Sequence, residues 1–128
     1  MEIAEYSPQY LPALRALYNS CGYQLTDFDA DTIDEAIYLA ITGDKVLGFI
    51  SVDEPDNFIH HLFVADDAQG MGVASKLLTM LTELNGRPQT LKCMVENENA
   101  KQFYLAKGFV EVGKGTGIVG DYLVLRNE

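Results

Sequence analysis

The chain has 128 residues, 48% of them apolar, and a formal net charge of −10, which suits one domain with a single core and leaves no room for a second. The acidic balance excludes a protein that grips nucleic acid mainly through its phosphates, because that takes a basic patch to displace counterions, whereas cationic partners such as amines are permitted. No apolar run approaches the roughly 18 to 20 residues that span a bilayer, and "MEIAEYS" lacks the basic-then-apolar start of a leader, so a soluble, cytoplasmic protein with no membrane partner is expected.

In chain order, "EIAEYS" reads as a short first strand. "PQYLPALRALYNSCG" then reads as a helix, with Tyr10, Leu11, Leu14, Leu17 and Tyr18 three and four apart, Pro8 in its first turn and Gly22 at its end. "YQLTDFDADTIDE" is rich in Asp and Thr and is expected to be irregular with one short helical turn. "AIYLAIT" and "KVLGFISVDE" are β-rich runs divided by Gly43 and Asp44, a hairpin signal, and a second turn at Glu54 to Asn57 leads into "FIHHLFV". A helix follows "DDAQGMG", with Ala74, Leu77, Leu78, Leu81 and Leu84 on one face and Gly86 and Pro88 as its stop. "TLKCMVE" then runs parallel to "FIHHLFV" if that helix is a crossover. A helix from Asn97 carries Ala100, Phe103 and Tyr104 on one side, with Gly108 as its left-handed end, and "FVEVGKGTG" and "DYLVLRN" close the chain as a hairpin. Cys21 and Cys93 are expected as free thiols, and no Cys/His cluster has metal-ligand spacing, so no metal is expected.

Gly70 and Gly72 stand where glycine is unfavourable, at the start of an amphipathic helix. A loop that leaves a strand and enters a helix presents unpaired N–H groups and the positive end of the helix dipole, and glycine lets a bulky phosphate approach the main chain. Gln69-Gly70-Met71-Gly72-Val73-Ala74 therefore reads as a phosphate cradle, although two glycines alone also suit a plain tight turn.

Gln69, Gly72 and Ala74 resemble the helix-opening loop of the GNAT superfamily, the acyl-CoA-dependent N-acyltransferases. "NENAKQFYLAKGF" is similar to the family's second block at Asn97, Ala100, Phe103, Tyr104, Gly108 and Phe109, and the strand from Ile59 to Val64 is similar too. The resemblance implies an α/β (α+β) GNAT fold: a mixed, mostly antiparallel sheet of about seven strands, its fourth and fifth strands a splayed parallel pair, flanked by about four helices. It implies that acetyl-CoA (coenzyme A) is bound by its pyrophosphate on the N–H groups of Met71 to Ser75, helped by Lys76 or Lys101. The pantetheine arm would pair near Leu62 and Val64, and the thioester would lie near Phe63. Asp66 and Asp67 must then point away from the phosphates.

The implied reaction is attack of a primary amine on the thioester. Tyr104 matches the family tyrosine that protonates the departing thiolate, although an aromatic at helical spacing also suits a core. The base is sought in "FIHHLFV", which offers His60 and His61 and no carboxylate. Strand alternation puts His60 with Phe58, Leu62 and Val64, and His61 with Ile59 and Phe63, unless a bulge reverses the parity. His60 is preferred, because counted back from the loop it falls where serotonin N-acetyltransferases carry a histidine base; two histidines held by ordinary hydrogen bonds are the alternative. Tyr18, Tyr23, Asp27, Phe28, His60 and Tyr122 are the implied acceptor-binding residues. The implied partners are acetyl-CoA and an amine acceptor, with a homodimer allowed.

Two rivals stand beside this reading. A dinucleotide-binding unit would also use Gly70 and Gly72, with Glu96 on the ribose, but Ser75 falls where Gly or Ala is needed and antiparallel hairpins flank the unit. A GNAT-fold module that binds acyl-CoA and catalyses nothing is the other.

Overall fold

A computed structural model describes residues 1–20, 28–118 and 120–128. Its strands are β1 (Glu2–Glu5), β2 (Ala36–Thr42), β3 (Lys45–Asp53), β4 (Phe58–Val64), β5 (Thr90–Met94), β6 (Val110–Gly117) and β7 (Gly120–Arg126). The helices are α1 (Leu11–Ser20), α2 (Phe28–Asp31), α3 (Val73–Asn85) and α4 (Glu98–Ala106), of which α2 is a single turn. All seven strands join one sheet in the order β1-β2-β3-β4-β5-β7-β6. Every neighbouring pair is antiparallel except β4 and β5, which α3 connects as a crossover. This mixed sheet is not the doubly wound parallel sheet that a dinucleotide-binding unit needs.

Strand alternation sorts the core onto two faces. Leu39, Ile41 and Phe49 pack with Leu14, Leu17 and Tyr18 of α1. Ala40, Ile50 and Val52 pack with Leu77 and Leu81 of α3. Gly48 marks the closest approach: a Cβ there would stand 2.6 Å from the Phe63 carbonyl oxygen and 2.9 Å from a Val73 methyl, so only glycine lets β3, β4 and the start of α3 meet. A 3-10 turn at Pro8–Tyr10 precedes α1, which therefore starts later than the apolar spacing predicts. Leu84, expected on the buried face of α3, is 58% exposed, because the last turn of the helix runs past the core cluster.

Two irregularities distinguish β4 from its neighbours. The β3 to β4 register steps from Ser51 opposite His61 to Val52 opposite Ile59, which leaves His60 as the extra residue of a bulge. On the other side, β4 pairs with β5 through Phe58 with Thr90 and Ile59 with Leu91, and the two strands then part. Among the described residues no helix is long and apolar enough to cross a membrane.

Candidate active site

The loop between β4 and α3 is built as a local necessity of its glycines. Gly70 and Gly72 have φ of +81° and +79°, a region that costs other residues about 1 kcal/mol or more. Nothing lies within 4 Å of where a Cβ would stand on either, so both open onto free space. Lys76 N–H makes the first helical bond, to the Gly72 carbonyl, and the N–H groups of Val73, Ala74 and Ser75 precede it at the open end of α3. Met71 N–H is directed at the Ala68 carbonyl (3.4 Å). The Gln69 side chain donates to the Val64 carbonyl (3.1 Å) and ties the loop to the end of β4. The resulting hollow, of about 270 Å³, is lined by Val64, Gln69, Gly70, Gly72, Ser75 and Phe103 among others. Asp66 and Asp67 are exposed, and Asp67 pairs with Lys45. Lys76 reaches back to the Met1 carbonyl (3.1 Å).

Where β4 leaves β5 a second hollow of about 150 Å³ opens, with His60, His61, Leu62, Phe63, Asn97 and Tyr104 in its walls. Asn97 also caps α4, its side chain accepting from Ala100 N–H at 3.2 Å. Tyr104 packs edge-on against Phe103 and Phe109, with ring centroids 5.3 and 5.4 Å away. Cys93 lines the same cleft as a free, buried thiol whose pKa burial pushes up; Cys21 lies outside the described residues.

The bulge corrects the simple alternation. It swings His60 toward the same carboxylate that His61 approaches, that of Glu35. His61 is the inner of the two, 11% exposed, against 40% for His60. Its Nδ1 lies 2.7 Å from Ser51 Oγ, and its ring stands edge-on to Tyr18 at 5.3 Å. Burial, and then the neighbouring His60, lower the His61 pKa to about 4, with Asp31 opposing. Burial, and then the Lys92 ammonium, hold His60 below the usual imidazole value, and its Nδ1 faces the Glu35 carboxylate.

Of the expected acceptor residues, Phe28 lines a third hollow of about 320 Å³, with Tyr6, Leu11, Asp29, Glu35 and Ile37 around it. Asp29 is held there by Arg15 at 2.5 Å. Tyr18 is 1% exposed and lines none of these hollows; its hydroxyl donates to Asp31 (2.5 Å) behind His61. Tyr122 lines a separate depression with Val95, Lys114 and Asp121; it pairs with Met94 across β5 and β7, and the Lys92 ammonium stands 4.7 Å over its ring, both of these residues lining the β4/β5 cleft. Tyr23 and Asp27 lie outside the described residues. Glu35 is the residue that sequence reasoning missed. The signal was present: Glu35 stands in phase with Ile37, Leu39 and Ile41, the apolar set of β2 that packs on the α1 side, where a carboxylate is out of place.

Residues 24–119 match the family described as "Acetyltransferase (GNAT) domain". A 5-NmdU N-acetyltransferase of Pseudomonas phage PaMx11 is 30% identical over 97 residues, covering 72% of this chain and 68% of that protein. Among solved structures, Arabidopsis thaliana Naa50 in complex with the bisubstrate analogue CoA-Ac-MVNAL superposes with a TM-score of 0.82 at 20% identity, over 99% of this chain and 97% of the other. A ribosomal-protein-alanine N-acetyltransferase from Brucella melitensis superposes with a TM-score of 0.77 at 20% identity, over 99% of both chains. At such identities the structural likeness establishes the fold.

Proposed function

Because the chain belongs to the GNAT acetyltransferase family, we propose that it is an acetyl-CoA-dependent N-acetyltransferase that acts as one unit over residues 1–128 and acetylates a primary amine by direct attack. The observation that carries this reading is the continuity of its parts. A hollow with open glycine positions at the start of α3 adjoins, through Val64 and Phe63, a strand-edge cleft whose walls hold an imidazole and a phenol.

Bound acetyl-CoA supplies an activated acyl carbon and a thiol leaving group. The N–H groups of Val73, Ala74 and Ser75, with the dipole of α3 behind them, hold the pyrophosphate. The edge of β4 from Leu62 to Val64, released from β5, takes the amides of the pantetheine arm. His60 accepts one proton from the acceptor nitrogen as the new C–N bond forms, and Tyr104 gives one to the sulfur as the C–S bond breaks. Solvent then restores both side chains, so the sum is amine plus thioester to amide plus thiol. A histidine held below its ordinary pKa is neutral at pH 7 and ready for this part.

The 320 Å³ hollow, with its mixture of aromatic, aliphatic and acidic walls, suits an amine carried on a modest apolar body. The panel to test begins with 5-NmdU, the substrate named for the 30% identical relative, followed by peptide amino termini and small aromatic amines. Thiol release from acetyl-CoA is the readout. Release that depends on one of these amines supports the reading; uptake of coenzyme A without release from any of them supports the non-catalytic module.

Two variants probe the parts separately. Gly72→Ala puts a Cβ in the left-handed region, which is expected to lower stability by about 1 kcal/mol, and in the open hollow where the pyrophosphate would approach, so calorimetry is expected to show weaker CoA binding. Tyr104→Phe keeps the packing against Phe103 and Phe109 and removes the phenolic proton donor. Its kcat is expected to fall roughly 10- to 100-fold with the acetyl-CoA KM unchanged.

A further inference from the structure

The Glu35 side chain is 4% exposed, neither of its oxygens has a hydrogen-bond partner of ordinary geometry among the described residues, and the imidazoles of His60 and His61 are the titratable groups that stand against them. Burying an ionised carboxylate costs several kcal/mol unless donors compensate it. His60 Nδ1 meets Oε2 directly, whereas His61 Nδ1 stands 3.9 Å from Oε1 and is engaged by Ser51 Oγ at 2.7 Å. The carboxylate therefore falls chiefly to His60. It stands between two hollows, since Glu35 lines the 320 Å³ one and His60 the β4/β5 cleft.

We propose that Glu35 is the positioning residue of the acyl-transfer site: it accepts the Nδ1–H of His60, fixes that tautomer, and leaves Nε2 as the nitrogen that takes the proton of the acceptor amine. This rests on His60 as the base. With Nδ1 donating to the carboxylate, the ring of His60 is held at the mouth of the cleft although its strand is bulged there. When Nε2 gains the amine's proton, the imidazolium lies against the negative charge of Glu35 and is stabilised by it, so the transfer is easier than to an isolated imidazole. Among the described residues the other titratable groups facing this ring are Lys92 from β5, whose charge opposes the imidazolium, and His61 on its own strand; Asp31 of α2 acts on His61 from behind.

The test has one arm that needs no substitution. In the full chain labelled with ¹⁵N-histidine, the ring-nitrogen shifts of His60 above its titration midpoint report which nitrogen holds the proton. The Nδ1–H form is expected, and the Nε2–H form overturns the proposal. In Glu35→Gln the His60 midpoint is expected to move down by about one unit or more, because a carboxylate that favours the charged ring is gone. The acid limb of the kcat/KM profile should move down with it, while plateau kcat falls about tenfold or more and the acetyl-CoA KM stays put. Glu35→Asp, which keeps the charge, is expected to restore part of both shifts. An unmoved midpoint in folded Glu35→Gln overturns the pairing. A midpoint that moves while the rate limb does not leaves the pairing intact and overturns His60 as base, and with it the role of Glu35 in the reaction.

Discussion

Replacing His60 with alanine is expected to lower kcat about 10²- to 10⁴-fold, the usual worth of a positioned general base, while CoA affinity stays within about twofold. The two halves of that expectation come from different parts of the molecule. Binding energy for the cofactor is assigned to the glycine loop and the start of α3, whose hollow does not include His60. The imidazole lines the next hollow along, at the point where β4 parts from β5; its loss also strips the buried Glu35 carboxylate of its nearest imidazole, so a lower stability is expected beside the lower rate, and the rate is read at a temperature where the variant is folded. The loss should then be in kcat, with the acceptor KM changed little, because a proton is transferred only on the way to the product. Stopped-assay thiol release at saturating acetyl-CoA, beside calorimetric CoA titration, reads both quantities. A parent-like rate in folded His60→Ala removes this residue from the chemistry.

His61 is expected to make the fold acid-labile, by about 3 kcal/mol between pH 7 and pH 4. Its pKa is lowered from 6.5 to about 4 in the folded chain, first by burial and then by the nearby His60. The unfolded chain therefore binds one more proton than the folded one between about pH 6.5 and 4, and stability rises with pH wherever the unfolded state holds more protons. The contribution is complete above pH 6.5, is lost progressively as the pH falls to about 4, and changes little below that. A shift of this size at about 1.4 kcal/mol per unit gives the figure quoted. Carboxylates also titrate in this window, so the informative quantity is a difference. Urea unfolding at pH 7 and pH 4 should show a smaller loss in His61→Gln than in the parent, and equal losses in the two would dismiss His61 as the cause.

The contrast between these two neighbouring histidines shows where sequence reasoning reached and where it stopped. Adjacent in one strand, they read alike as candidates, and simple alternation assigns them to opposite faces. The structure puts one residue of bulge at His60, so both imidazoles approach the same carboxylate, with His61 in the core and His60 at the cleft. A bulge is a property of two strands in register, and neither strand alone encodes it. The acceptor side was less legible again. Tyr18 and Phe28 have the composition of a binding wall, yet Tyr18 is wholly buried and only Phe28 reaches a hollow.

What the sequence by itself determined is local: hydrophobic periods of two and of about three and a half that mark strands and helices, turn residues at the hairpins, and glycines with positive φ that open the start of α3. Such features depend on residues within one or two turns of each other, so they survive without knowledge of the fold. The meeting of Glu35 with His60, the parting of β4 from β5 and the walls of the three hollows were decided only by tertiary structure. Each joins segments far apart in the chain, and the burial that makes a carboxylate and an imidazole matter to each other exists only once the sheet and α1 have closed around them.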